Sequence, residues 1–158
     1  MRAASQALAR PGKVADAPAL AAIEQRVSPS PWSEQQFFSA CAGEHSRERV
    51  LVVDNSRQIQ GFVIYSEVLD EASIHNIAVD PGSQGNGLGE LLLSTVLARL
   101  RDCGTHRCLL EMRVSNEAAH GLYRKLGFQA DGLRKDYYPT ASGREDAVLM
   151  SLVLREQE

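Results

Sequence analysis

The chain is poor in the residues that build metal centres, disulfide frameworks and membrane spans. Three cysteines and one tryptophan occur in 158 residues. Cys41, Cys103 and Cys108 are odd in number and stand at no metal-ligating spacing with histidine. They read as reduced small hydrophobes, and no metal site is expected. No apolar run approaches the roughly 20 residues that span a bilayer. Met1–Arg10 has no continuous apolar stretch of the signal-peptide kind. No membrane partner is expected, and the cytoplasm is the simplest compartment. An excess of basic charge is also lacking. Seventeen Lys and Arg stand against 20 Asp and Glu, a net charge of −3. That balance argues against a non-specific nucleic-acid partner, and nothing in it speaks to oligomeric state.

What is present is an ordinary globular composition, 44% apolar and 23% charged. The length fits one domain over residues 1–158, with 1–6 as a loose tail, and buries a core without metals or disulfides. A short first strand is expected near Ala7–Val14. Asp16 is placed to cap a helix over Ala17–Val27, whose Leu20, Ile23 and Val27 recur at helical spacing. Ser28-Pro29-Ser30-Pro31 stops it. Ser33 and Gln36 form an S-x-x-Q capping box for a second helix carrying Phe37 and Phe38. Strand patterns follow at Val50–Val53, Gln60–Val68 and Ser73–Val79, with short links at Asp54-Asn55-Ser56 and Leu69-Asp70-Glu71. Short links make these strands antiparallel.

From Gly87 a helix is expected to about Cys103, with Leu88, Leu92 and Val96 on one face. Gly104 ends it. Cys108–Val114 reads as a buried strand. Asn116 caps a helix to Leu126, and Gly127 stands where a helix-terminating glycine belongs. Phe128–Tyr138 and Ala147–Leu154 read as a hairpin joined through Pro139–Gly143. The expected fold is a mixed α/β one: a mostly antiparallel sheet of six to seven strands with about four helices. The Ser73–Val79 strand would reach Cys108–Val114 by a right-handed parallel crossover.

The segment between strand and long helix, Gln84-Gly85-Asn86-Gly87-Leu88-Gly89, has the composition of an anion site. Amides at a helix start lack internal acceptors, and glycines let a ligand approach the backbone. A P-loop requires Gly-Lys-Ser/Thr, where this loop has Gly-Leu-Gly-Glu. A dinucleotide fingerprint requires G-x-G-x-x-G, where the spacing here is G-x-G-x-G. The coenzyme A pattern Q/R-x-x-G-x-G/A is met by Gln84, Gly87 and Gly89. A plain glycine-rich helix entry remains the alternative at this point.

The loop has company. Asn76-Ile77-Ala78-Val79-Asp80-Pro81, Gln84–Gly89, Leu110–Asn116 and Leu122-Tyr123-x-x-Leu126-Gly127-Phe128 occur in the order and spacing of the GNAT acetyltransferases. Over about Ala15 to Leu154 the chain resembles that family. Ile23–Arg26, Pro31-Trp32-Ser33, Leu69–Ala72, Tyr137-Tyr138-Pro139-Thr140 and Gly143–Ala147 make it similar to the RimI-type ribosomal-protein-alanine group within it. The resemblance implies acetyl-CoA as donor and the N-terminal alanine of a small-subunit ribosomal protein as acceptor. It implies that Ile77, Ala78 and Val79 line the pantetheine arm. Gln84, Gly85, Asn86, Gly87, Leu88, Gly89 and Glu90 would hold the pyrophosphate, and Asn116 would contact the cofactor. Glu111 would be the general base and Tyr123 the general acid, with the Val79 amide a candidate oxyanion donor. Two positions depart from the group, which often carries Arg where this chain has Gly85 and Glu90.

Each assignment has a bland counterpart. Glu111 is otherwise a salt-bridge partner, of Arg113 or Arg144, and Tyr123 a core aromatic. His75 is a possible second base but fits a satisfied strand histidine better. His45, His106 and His120 read as surface residues, and Cys108 as core. Trp32, Tyr137 and Tyr138 are candidate walls of an acceptor groove. Asp70, Glu71, Glu145 and Asp146 are candidate partners for a basic peptide, or else solvated turn residues. Two other functions stay open on sequence: a GNAT enzyme acting on a small amine or lysine, and a non-catalytic acyl-CoA-binding module.

Overall fold

The computed structural model describes residues 8–43 and 47–155. The expected tail at 1–6, Ala7 of the first expected strand and His45 lie outside the described residues. The strands are β1 (Ala9–Pro11), β2 (Glu48–Asp54), β3 (Ile59–Val68), β4 (Glu71–Val79), β5 (Arg107–Arg113), β6 (Gln129–Thr140) and β7 (Gly143–Val153). The helices are α1 (Ala17–Val27), α2 (Glu34–Ala42), α3 (Leu88–Asp102) and α4 (Glu117–Lys125), with 3-10 turns at Val14–Asp16 and Pro81–Ser83. The sheet has seven strands in the order β1-β2-β3-β4-β5-β7-β6. β4 and β5 are parallel, while β1–β2, β5–β7 and β6–β7 are antiparallel.

The chain divides into two compact units. The first runs through Tyr65 and resumes over Asn76–Thr95. Its core gathers Leu20 and Ile23 of α1, Phe37 and Ala40 of α2, and Val50, Val52, Phe62, Ile64 and Ala78 of the strands. The capping box forms as expected: Gln36 N donates to Ser33 Oγ at 3.2 Å and Ser33 N to Gln36 Oε1 at 2.8 Å. Asp16 does not cap α1. Its backbone is helical, and its carboxylate instead takes the Lys13 amide at 2.8 Å and the Arg10 guanidinium at 2.9 Å. The stronger charge-assisted partner lies on the other side, so Asp16 closes the 3-10 turn. That turn also cuts the first strand to three residues. Gly61 is required by close approach, since a Cβ there would stand 2.9 Å from the Ala78 carbonyl oxygen.

The second unit comprises Ser66–His75 and the described residues from Val96 onward. β5 alternates cleanly. Cys108, Leu110 and Met112 are buried, while Arg107, Leu109, Glu111 and Arg113 are half-buried or exposed on the other face. Asn116 caps α4 by accepting from the Ala119 amide at 3.1 Å. Tyr123 is buried on that helix, 5.7 Å from the Phe128 ring. Gly127, at φ 102°, turns the chain out of α4 where the sequence places it. The terminal hairpin is longer than expected: β6 reaches Thr140, β7 begins at Gly143, and the turn is Ala141-Ser142. Pro139 is tolerated within β6 because that strand is the sheet edge.

Candidate active site

The glycine-rich loop is built on a buried carboxylate. Asp80, which follows β4, accepts from Arg26 of α1 at 2.9 Å, and its amide donates to the Gln60 carbonyl at 2.7 Å. The Pro81–Ser83 turn follows. Gln84 Nε2 then reaches back to the Val79 carbonyl, and Asn86 Nδ2 to the Ser83 carbonyl, both at 3.0 Å. Side-chain amides thus tie the loop to its own stem. Gly85 and Gly87 have φ of 85° and 78°, and a Cβ at either would meet nothing within 4 Å. These are left-handed conformations beside open space. Leu91 donates to the Gly87 carbonyl at 3.0 Å, so Leu91 is the first donor within α3. First-turn amides such as those of Leu88 and Gly89 have no acceptor in the helix. An exposed glycine backbone ahead of such amides suits a phosphate oxyanion.

In the same unit, Glu24 of α1 is buried. Its Oε2 accepts from the Trp32 amide at 3.1 Å and from Asn76 Nδ2 at 2.9 Å. Glu24 ties the α1–α2 connection to β4. A carboxylate on the apolar face of α1, one residue after Ile23, was the available sequence signal. Trp32 packs into the core cluster, 5.4 Å from Phe37.

The second unit holds a groove of about 720 Å³ over the exposed face of β5. Ser73 and His75 of β4, Arg107, Leu109 and Glu111 of β5, Leu149 of β7, and Asp131, Tyr137 and Tyr138 of β6 are among its lining. Adjacent strand residues ordinarily point to opposite faces. Tyr137 and Tyr138 both line this groove because β6 is bulged between Arg134 and Tyr138, with Asp136 at φ 51°. The bulge is clamped from β7. Arg144 donates to the Asp136 and Tyr137 carbonyls at 2.7 and 3.0 Å, and Asp146 accepts from the Asp136 amide at 2.9 Å. The two rings stand 4.9 Å apart, edge to face.

Glu111 is exposed in the groove and pairs with Arg134 at 3.4 Å. Of the partners expected for it, Arg113 pairs with Glu145 at 3.1 Å and Arg144 holds the bulge. Arg113 and Arg134 also lie over the rings of Tyr138 and Tyr137, each at 4.7 Å. His75 is exposed and hydrogen-bonded through Nε2 to Ser66 Oγ at 2.6 Å. Burial pushes the Tyr123 phenol well above its ordinary value of 10.0, helped by Tyr138 and Cys108. Burial likewise raises the Cys108 thiol from 9.0 to about 12, which suits core rather than nucleophile.

Three of the four carboxylates expected to meet a basic peptide are engaged within the protein. Glu71 accepts from Arg107 at 3.0 Å, Glu145 takes Arg113 and the Ser115 amide, and Asp146 holds the bulge. The Asp70 carbonyl accepts from the His106 amide at 2.7 Å, in the β3–β4 turn. None of the four lines the groove. Glu145 and Asp146 of the hairpin each accept a backbone amide, of Ser115 and Asp136, that lies outside the strand ladder and needs an acceptor. Asp131 and Arg134 were missed by sequence reading; the Asp-Gly pair at 131–132 was the available bulge signal. His106 is half-buried rather than a surface residue, with Nδ1 at the Arg155 carbonyl. Cys103 is exposed rather than packed as a small hydrophobe. Among the described residues no cluster of potential metal ligands occurs, and no helix is long and apolar enough to cross a membrane.

Residues 17–128 match the family model described as acetyltransferase (GNAT) family. The chain belongs to the GNAT acetyltransferases. Its activity is that of an acyltransferase. The chain is 45% identical over 137 residues to the [ribosomal protein bS18]-alanine N-acetyltransferase of Salmonella typhimurium, covering 87% of this chain and 90% of that protein. The crystal structure of the ribosomal-protein-S18-alanine N-acetyltransferase from Escherichia coli superposes with a TM-score of 0.87 at 39% identity, over 95% of both chains. A Salmonella typhimurium structure solved with its cofactor acetyl-CoA gives a TM-score of 0.83 at 21% identity, over 98% of this chain and 97% of that one. At that identity the likeness is one of GNAT fold.

Proposed function

We propose that this GNAT enzyme acts as one catalytic domain that transfers acetyl from acetyl-CoA to the N-terminal alanine of a small-subunit ribosomal protein. The observation that carries the acceptor is the 45% identity to an enzyme named for that reaction, together with a groove walled by Tyr137 and Tyr138 beside an exposed carboxylate. The thioester supplies an activated acetyl group and a thiolate leaving group.

The protein's own residues then have four tasks. Gln84–Glu90 hold the pyrophosphate, mainly through backbone amides, since Gly85 offers no side chain and Glu90 carries the wrong sign. The backbone of Ile77, Ala78 and Val79 lies along the pantetheine arm, and Asn116 contacts the cofactor. Glu111 takes a proton from the acceptor ammonium or amine, directly or through one water. An α-amine, with an ordinary pKa of about 7.7–8.0 against about 10.4 for lysine, yields that proton more readily near neutral pH. Tyr123 donates its phenolic proton to the sulfur as the thioester C–S bond breaks. Its raised pKa keeps that proton in place at every physiological pH.

The test is release of free coenzyme A thiol when the enzyme and acetyl-CoA meet an alanine-terminated peptide, compared with spermidine and free lysine. Thiol release with the peptide alone is expected. Release with the small amines but not the peptide would move the acceptor to another class.

A further inference from the structure

Most carboxylates in and around the groove are already matched to a cation. Glu111 has Arg134 at 3.4 Å, Glu71 has Arg107 at 3.0 Å, and Glu145 has Arg113 at 3.1 Å. Asp131 differs. It lines the groove with Glu111, Tyr137 and Tyr138, is exposed, and forms no ion pair among the described residues. Its place there has a structural cause. Ala130 pairs with Met150 and Gly132 with Leu149, so Asp131 is the extra residue of a bulge in β6. A bulged residue is free of the strict in–out alternation, and Gly132 next to it lowers the cost of the kink.

We infer that Asp131 is a specificity-determining residue that selects acceptors with a cationic side chain close to the N-terminus. This rests on the reading of the groove as a peptide acceptor site. The other charges lining the groove do not supply that selection. Arg107 is neutralised by Glu71, Glu111 by Arg134, and the His75 ring is engaged by Ser66. An arriving Arg or Lys therefore finds one unmatched carboxylate, while an acidic acceptor meets that charge with no cation to offset it. The carboxylate is solvent-exposed, so the effect is modest and falls on KM. It is worth roughly two- to five-fold, the range of an exposed ion pair.

The experiment uses the full chain with acetyl-CoA and alanine-terminated octapeptides. Each carries one Arg, Gln or Glu at the second, third or fourth residue. The wild type is expected to show KM in the order Arg below Gln below Glu at one or more of these positions. Asp131→Asn should raise KM for the Arg peptide roughly two- to five-fold, leave the Gln peptide alone and leave kcat unchanged. Asp131→Arg should reverse the order of the Arg and Glu peptides. Equal KM ratios in wild type and both variants would overturn the inference while leaving the acetylation reading intact. No α-amine acetylation of any peptide by the wild type would sink both.

Discussion

Arg134 approaches Glu111 to 3.4 Å and lies over the ring of Tyr137 at 4.7 Å. One cation on an edge strand thus holds the candidate base and one wall of the groove. The pair is half exposed, so its contribution to stability is at most about 1 kcal/mol. Arg134→Ala should leave the thermal midpoint nearly unchanged and raise KM for the peptide. Glu111→Gln should lower turnover about 10²- to 10⁴-fold with little change in acetyl-CoA affinity, the range for a lost general base. Undiminished turnover in Glu111→Gln would remove it from the mechanism.

Tyr123→Phe should lower kcat about 10²-fold while a well-packed ring remains beside Phe128. Because burial raises the phenol's pKa, the folded state holds that proton more tightly than the unfolded chain does. The resulting stability is fully present below pH 10 and is lost as pH rises beyond it. The variant should therefore lose less of its thermal midpoint than wild type between pH 9 and 11. A rate equal to wild type would exclude the acid role, whatever the stability does.

The cysteines give an independent check on burial. Cys103 is exposed, Cys41 is half-buried with its thiol raised to about 11, and Cys108 is fully buried with its thiol raised to about 12. An aromatic disulfide reagent at pH 8 should titrate one thiol quickly, a second slowly, and the third only in denaturant. Two fast thiols in the native protein would contradict the packing described for α2 or β5.

Glu90 sits in the first turn of α3. A carboxylate there favours the helix by about 0.3–1 kcal/mol but opposes a bound anion. Glu90→Gln should therefore tighten acetyl-CoA binding a few-fold by calorimetry while lowering the thermal midpoint slightly. Weaker binding would mean that the pyrophosphate lies elsewhere.

Much of this was legible in the sequence, for identifiable reasons. The Ser33 box, the Asn116 cap and the Gly127 terminus are local signals with fixed geometry, and each formed where read. The mixed sheet, expected with six to seven strands and found with seven, followed from strand and helix patterning, and the GNAT family from motif order. Asp16 misled because its choice between the α1 amides and Arg10 is decided in three dimensions. The terminal hairpin was read too short because Pro139, Ser142 and Gly143 have turn chemistry, yet Pro139 and Thr140 still pair with Arg144 and Gly143 on the sheet edge. The bulges of β6 hid Asp131 and Arg134, and they brought neighbouring tyrosines onto one face. The internal partners of Glu71, Glu145 and Asp146 were not legible in the sequence, because each is set by tertiary pairing.

The most direct test of the central claim is where the acetyl group goes. The enzyme would be given acetyl-CoA and one peptide that begins Ala-Arg and also holds an internal lysine, with the modified atom located by tandem mass spectrometry. The account predicts a single acetyl on the alanine α-nitrogen, formed about 10²- to 10⁴-fold more slowly by Glu111→Gln. An acetyl on the lysine side chain, with the α-amine unmodified, would contradict it.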